Sequence, residues 1–213
     1  MRDESPWAAL TRLQHILAEK YTNPLPTIGR RSCSIEFSST DEVPSFDVVI
    51  AFDRDGGGFE IPDRTVADWI ASDPEVHKTK ATEKNAECDG KWIPFVKMIK
   101  GFNREWDKPV RPSFLLEVMA LDLVRPPFGR YQDELVLFLA NAASRIEETW
   151  PDPAGLGPDV NSSMNTIEKQ AAARRLGEAL EIAERAVQLE DDGQERAAVE
   201  SWRELFGMRM PAP

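Results

Sequence analysis

Three places in this 213-residue sequence hold side chains that could act on a phosphate. Asp47 heads the otherwise apolar run Phe46-Asp47-Val48-Val49-Ile50-Ala51-Phe52. As a strand, the run puts Phe46, Val48, Ile50 and Phe52 on one face and Asp47, Val49 and Ala51 on the other. In metal-assisted phosphoryl transfer, carboxylates on adjacent strands hold Mg2+, a hard cation that prefers oxygen ligands. One carboxylate does not complete such a site, and an Asp at a strand end also looks like a solvated edge residue. Lys97, Lys100 and Arg104 stand at i, i+3 and i+7 and line one face of a helix read from Ile93 to Trp106. Such a stripe can grip a triphosphate through charge-assisted hydrogen bonds. It is equally the outer face of an ordinary amphipathic helix. Ser113 follows Pro112 at the start of the next helix, where backbone N–H groups and the helix dipole favour an anion. Serine is also a common N-cap there.

The elements that must position these residues follow from periodicity. Leu10, Leu13, Ile16 and Leu17 recur at helical spacing over Trp7–Tyr21, with Ser5-Pro6 as the opening. Cys33, Ile35 and Phe37 alternate with Ser34, Glu36 and Ser38, which predicts a half-buried strand. The Asp47 strand follows, then a turn at Asp53–Gly58 and a short returning strand to Ile61. From there the pattern reads as helical: a short segment around Ala67-Asp68-Trp69-Ile70, then Ile93–Trp106, Pro112–Val124, Tyr131–Thr149, Asn165–Leu189 and Gln194–Phe206. Leu176, Leu180, Ala183 and Val187 form the stripe of the longest helix. The expected fold class is α+β, a small sheet feeding a helical bundle. The expected division is a strand-bearing part over 1–65 and a helical part over 66–213.

Composition sets limits. With 41% hydrophobic residues the chain can bury a core, and no apolar run is long enough to span a membrane. The opening Met-Arg-Asp-Glu-Ser has no signal-peptide core, and two cysteines without metal-site spacing fit a reducing cytoplasm. The net charge of −11 makes an extended nucleic acid a poor partner. Charge is uneven, however. Residues 76–111 carry nine Lys/Arg against five acids, a local +4 that leaves −15 on the rest. Such a patch suits a small polyanion, and it also suits a solvated helix face.

In order, Phe46-Asp47-Val48-Val49-Ile50-Ala51, Phe59-Glu60-Ile61-Pro62, Trp69-Ile70-Ala71-Ser72-Asp73-Pro74-Glu75-Val76-His77, Phe95-Val96-Lys97-Met98-Ile99-Lys100-Gly101-Phe102-Asn103, Ser113-Phe114-Leu115-Leu116-Glu117 and Trp202-Arg203-Glu204-Leu205-Phe206-Gly207 resemble a known family. It is that of the cyclic GMP-AMP synthase-like and oligoadenylate synthase-like nucleotidyltransferases, most closely the bacterial members (CD-NTases). The resemblance runs from about Trp7 to Pro211. It implies a partial polymerase-β-like nucleotidyltransferase sheet followed by a helical bundle, with residues 1–65 as the remainder of the catalytic core. Asp47 matches the third catalytic carboxylate, which binds the metal and helps activate the attacking ribose hydroxyl. Lys100 matches a helix lysine that contacts the nucleotide triphosphate, and Ser113 a serine on the same phosphates, with Lys97 and Arg104 as further phosphate contacts. The implied cofactor is Mg2+, with Mn2+ as an alternative. The implied substrates are ATP or GTP, joined into a cyclic or linear oligonucleotide signal in anti-phage defence. Ile50 stands where the family usually has Pro, a small departure.

A larger departure concerns the family's Gly-Ser turn and the following strand with Asp-x-Asp or Glu-x-Asp. No Gly-Ser dipeptide occurs in these residues. Asp53-Arg54-Asp55 has the acid spacing but lies in a glycine-rich turn after the Asp47 strand. The sequence therefore predicts a C-terminal portion that is inactive alone, completed by a second chain or a missing segment. The alternatives are a catalytically dead remnant that binds nucleotide or a partner protein, and an unrelated α+β protein.

Overall fold

The computed structural model describes residues 4–37 and 45–207. Ser38, read with the strand that begins at Cys33, lies outside the described residues, as does the end of the resemblance beyond Gly207. The chain forms two compact units, Met1–Glu75 and Val76–Pro213.

The first unit begins with α1 (Pro6–Ala18), whose N-cap Ser5 accepts a hydrogen bond from the Ala8 N–H at 3.2 Å. Strands β1 (Thr27–Ile28), β2 (Cys33–Ile35) and β3 (Phe46–Val48) make an antiparallel sheet in that order. Strands β4 (Phe52–Asp53), β5 (Phe59–Asp63) and β6 (Asp68–Ser72) make a second. Leu10 and Ala9 of α1 are fully buried, as are Cys33 and Ile35 of β2.

Two sequence expectations change here. The run Phe46–Phe52 is divided between the sheets, because β3 pairs with β2 while β4 pairs with β5. Its facial alternation survives from Asp47 onward, with Val48, Ile50 and Phe52 half-buried and Asp47, Val49 and Ala51 exposed, but Phe46, expected on the buried face, is exposed. The segment Ala67–Ile70, read as helical, is instead the last turn residue and the start of β6. Asp63 pairs with Asp68 across a turn in which Ala67 takes a left-handed φ of 54°. That conformation usually falls to Gly or Asn, so the sequence carried no hairpin signal.

The second unit is helical: the body of α2 (Pro74–Glu87), then α3 (Trp92–Glu105), α4 (Phe114–Leu123), α5 (Tyr131–Arg145), α6 (Thr166–Asp191) and α7 (Glu195–Phe206). α2 is absent from the sequence expectations because Pro74–Glu87 has almost no apolar stripe; only Lys84 is buried. Its start is nonetheless signalled, with Asp73 accepting from the Glu75 N–H at 3.1 Å and Pro74 in the first position. The core is built on Trp92, Phe95, Ile99 and Phe102 of α3, Leu115, Leu116 and Met119 of α4, Leu135 and Leu139 of α5, and Leu176 of α6. Trp92 is satisfied inside it, its indole N–H donating to the Ala120 carbonyl at 3.1 Å. α6 opens on a reciprocal capping box between Asn165 and Glu168, and α7 ends at Gly207, where φ is 62°. Among the described residues no helix is long and apolar enough to cross a membrane.

Candidate functional site

The structure places the sequence-predicted residues in two groups, one in each unit. In the first unit, Asp47 is the middle residue of β3, opposite Ser34 of β2. Its carboxylate is exposed and accepts a hydrogen bond from the Ser34 hydroxyl. Among the described residues β3 pairs only with β2, so Asp47 lies on an edge strand. No cluster of three or more metal-ligating side chains exists among the described residues. Among the described residues, Asp47 therefore belongs to no group large enough to hold a metal ion by itself.

In the second unit, α3 is amphipathic in the way its spacing predicts. Trp92, Phe95, Val96, Ile99, Phe102 and Asn103 are buried, while Lys97 and Arg104 are exposed and Lys100 is half-buried. The half-burial of Lys100 has a cause the sequence did not reveal. Its ammonium donates to the Glu117 carboxylate of α4, with about a third of each side chain still exposed: 32% and 29%. Ser113 and Glu117 are four residues apart, so they share one face of that helix's first turn. The pairing therefore brings Lys100 to the same face of α4 as Ser113, one turn further along. Lys97 and Arg104 have no ion-pair partner among the described residues.

Ser113 occupies the N-cap position without making a side-chain cap, and its backbone is already helical (φ −62°, ψ −18°). The first turn closes on the backbone instead. Leu115 N–H donates to the Pro112 carbonyl at 2.9 Å and Leu116 N–H to the Ser113 carbonyl at 3.3 Å. The exposed hydroxyl has no hydrogen-bond partner among the described residues. Two of the N–H groups expected to favour an anion are thus occupied.

The α3–α4 connection is rigid. Asn103, 1% exposed, donates its amide to the Val110 carbonyl and accepts from the Val110 N–H, each at 3.0 Å. Asp107 and Lys108 hold left-handed φ values of 62° and 55°, an uncommon pair for non-glycine residues. A cleft of about 510 Å³ opens beside this loop, with Trp106, Lys108, Arg111 and Arg175 in its wall. Arg175 stacks over the Trp106 ring at 4.3 Å.

Sequence reasoning also missed the ionic centre of the first unit. Asp63 is fully buried; it accepts from Arg30 Nε at 2.9 Å, Arg31 Nε at 2.8 Å and the Thr65 N–H at 2.9 Å. Burial alone would raise its pKa, but the two guanidinium groups and the backbone donor outweigh burial and hold it well below the usual carboxylate range. The centre ties the β1–β2 turn to the end of β5. An acid closing the apolar stretch Phe59–Asp63, with Arg30-Arg31 in a nearby turn, was the available signal. Cys33 and Cys88 are fully buried, and burial raises both thiols, so neither is a reactive group.

No protein-family model matches the chain. It is 28% identical over 191 residues to a probable cyclic nucleotide synthase of Bacillus cereus (strain VD146), covering 86% of this chain and 56% of that protein. It is 27% identical over 195 residues to a cyclic AMP-AMP-AMP synthase of an Acinetobacter species, covering 87% of this chain and 55% of that one. The chain thus spans about half the length of these relatives. Among solved structures, the CD-NTase CdnG of Bradyrhizobium diazoefficiens in complex with GTP matches with a TM-score of 0.72 at 14% identity, over 99% of this chain and 73% of that one. The chain is similar in sequence to cyclic nucleotide synthases, and it has the α+β, polymerase-β-like fold of the CD-NTases, as its own motifs imply.

Proposed function

We propose that this chain is part of a Mg2+-dependent nucleotidyltransferase that joins NTPs into a cyclic or linear oligonucleotide signal in anti-phage defence, acting in the cytoplasm. The first unit is the remainder of the catalytic core and the second its helical partner. Lys100 and Ser113 contact the triphosphate of ATP or GTP, with Lys97 and Arg104 adding positive charge along the same helix. The observation that carries this reading is the Lys100–Glu117 pair, which joins the basic helix α3 to α4, the helix that Ser113 opens. Sequence similarity to two synthases over most of the chain supports it.

Asp47 is the chain's contribution to the metal. Mg2+, or Mn2+, supplies Lewis-acid polarisation of the phosphate in such enzymes, and one carboxylate cannot hold it in catalytic geometry. We therefore assign the paired acids and the Gly-Ser turn to a segment or second chain beyond these 213 residues. Among the described residues one edge of β3 is unpaired, and such an edge is a ready template for a further strand, which supports that assignment. The same edge would serve a non-catalytic remnant that binds a partner protein.

The test incubates labelled ATP and GTP with Mg2+ and the chain, alone and together with a polypeptide carrying Gly-Ser and Asp-x-Asp. The expected result is an oligonucleotide product from the pair only, absent when the chain carries Asp47→Ala. No product from the pair, or equal product with Asp47→Ala, would overturn the reading.

A further inference from the structure

We infer that Glu117 is a positioning residue for Lys100, fixing the ammonium where a bound triphosphate meets it. The inference rests on the nucleotide reading given above. A carboxylate beside a phosphate-binding lysine is at first sight unfavourable, because it repels the ligand. Geometry gives it a use. An ammonium has three N–H donors, and the bond to Glu117 occupies one, which leaves two for phosphate oxygens without breaking the pair. The lysine side chain has four rotatable bonds and a large rotamer entropy. Anchored on α4, it surrenders much of that entropy on folding rather than on binding.

The surroundings of the pair support a built arrangement. Lys100 and Glu117 belong to two helices that share the core through Ile99, Leu115 and Leu116, all fully buried. The loop between the helices is fixed by the buried Asn103 clamp on Val110. Neighbouring Lys97 and Arg104 have no such anchor among the described residues and remain exposed. One cation of the stripe is therefore paired with the helix that Ser113 opens, and the other two are exposed.

Positioning and charge are separable. Glu117→Gln removes the charge and keeps an oxygen that accepts from the ammonium, whereas Glu117→Ala removes both. The experiment measures ATP affinity in the presence of MgCl2 for the wild-type chain, both Glu117 variants and Lys100→Ala. Melting temperatures without nucleotide are recorded to correct for folding. Glu117→Ala should bind ATP roughly three- to tenfold more weakly than Glu117→Gln, the range expected for immobilising one long side chain. Glu117→Gln should stay near wild type or bind slightly tighter. Equal affinities for the Ala and Gln variants would overturn the positioning role while leaving the nucleotide site intact, provided Lys100→Ala still weakens binding. Glu117→Ala binding more tightly than wild type would make Glu117 a competitor for Lys100, and would also overturn it. A wild-type chain that binds no ATP at millimolar concentration would remove the nucleotide reading and this inference with it. If Glu117→Ala fails to fold, Glu117→Met and Glu117→Gln give the same comparison, because Met keeps the length and its thioether accepts only weakly from the ammonium.

Discussion

The buried amide of Asn103 accepts from the Val110 N–H and donates to the Val110 carbonyl, so a single side chain holds both backbone groups of a residue seven positions away. It fixes the path of the loop from Arg104, at the end of the basic stripe, to Ser113. Asn103→Ala would leave two buried backbone groups without partners. We expect a loss of about 2–4 kcal/mol, measured by urea unfolding of the variant against the wild type. A loss below about half a kcal/mol, the usual size for a surface substitution, would show that water replaces the amide freely.

Asp63 gives the first unit an acid-sensitive contribution to its stability. Its folded pKa is depressed, so the unfolded chain binds its proton more readily than the folded chain does. The stabilisation is fully present above the unfolded value of about 4 and is lost as pH falls below it. Asp63→Asn should lower stability at neutral pH by about 1.5–3 kcal/mol, the range for hydrogen bonds to charged groups. It should also flatten the fall in melting temperature below pH 4. Parallel wild-type and variant curves from pH 7 to pH 2 would contradict this account.

How much of this was legible depends on the range of each interaction. Signals within one turn could be read: Ser5-Pro6 opens α1, Asn165 opens α6, and the i, i+3, i+7 spacing set Lys97, Lys100 and Arg104 on the outer face of α3. α2 could not be found from an apolar stripe because it scarcely has one, although Asp73-Pro74-Glu75 announced its start. β6 escapes the sequence pattern because a short run such as Asp68-Trp69-Ile70 fits either period, and Ala67 takes the left-handed place of a turn glycine. The Asp47 strand is legible in the sequence, but its division between two sheets is not, because that depends on the pairing partners. The Lys100–Glu117 and Asp63–Arg30–Arg31 contacts join positions 17, 32 and 33 residues apart. No periodicity reports contacts of that span.

A triphosphate site on α3 and α4 should show itself in calorimetric titration of the chain with Mg-ATP. Binding should be saturable and should weaken with added salt, as exposed Lys97 and Arg104 are screened. Lys100→Ala should weaken it by roughly tenfold to a hundredfold, the range for losing one hydrogen bond to a charged group. Absence of heat at millimolar ATP, or an affinity unchanged by Lys100→Ala, would rule out that site.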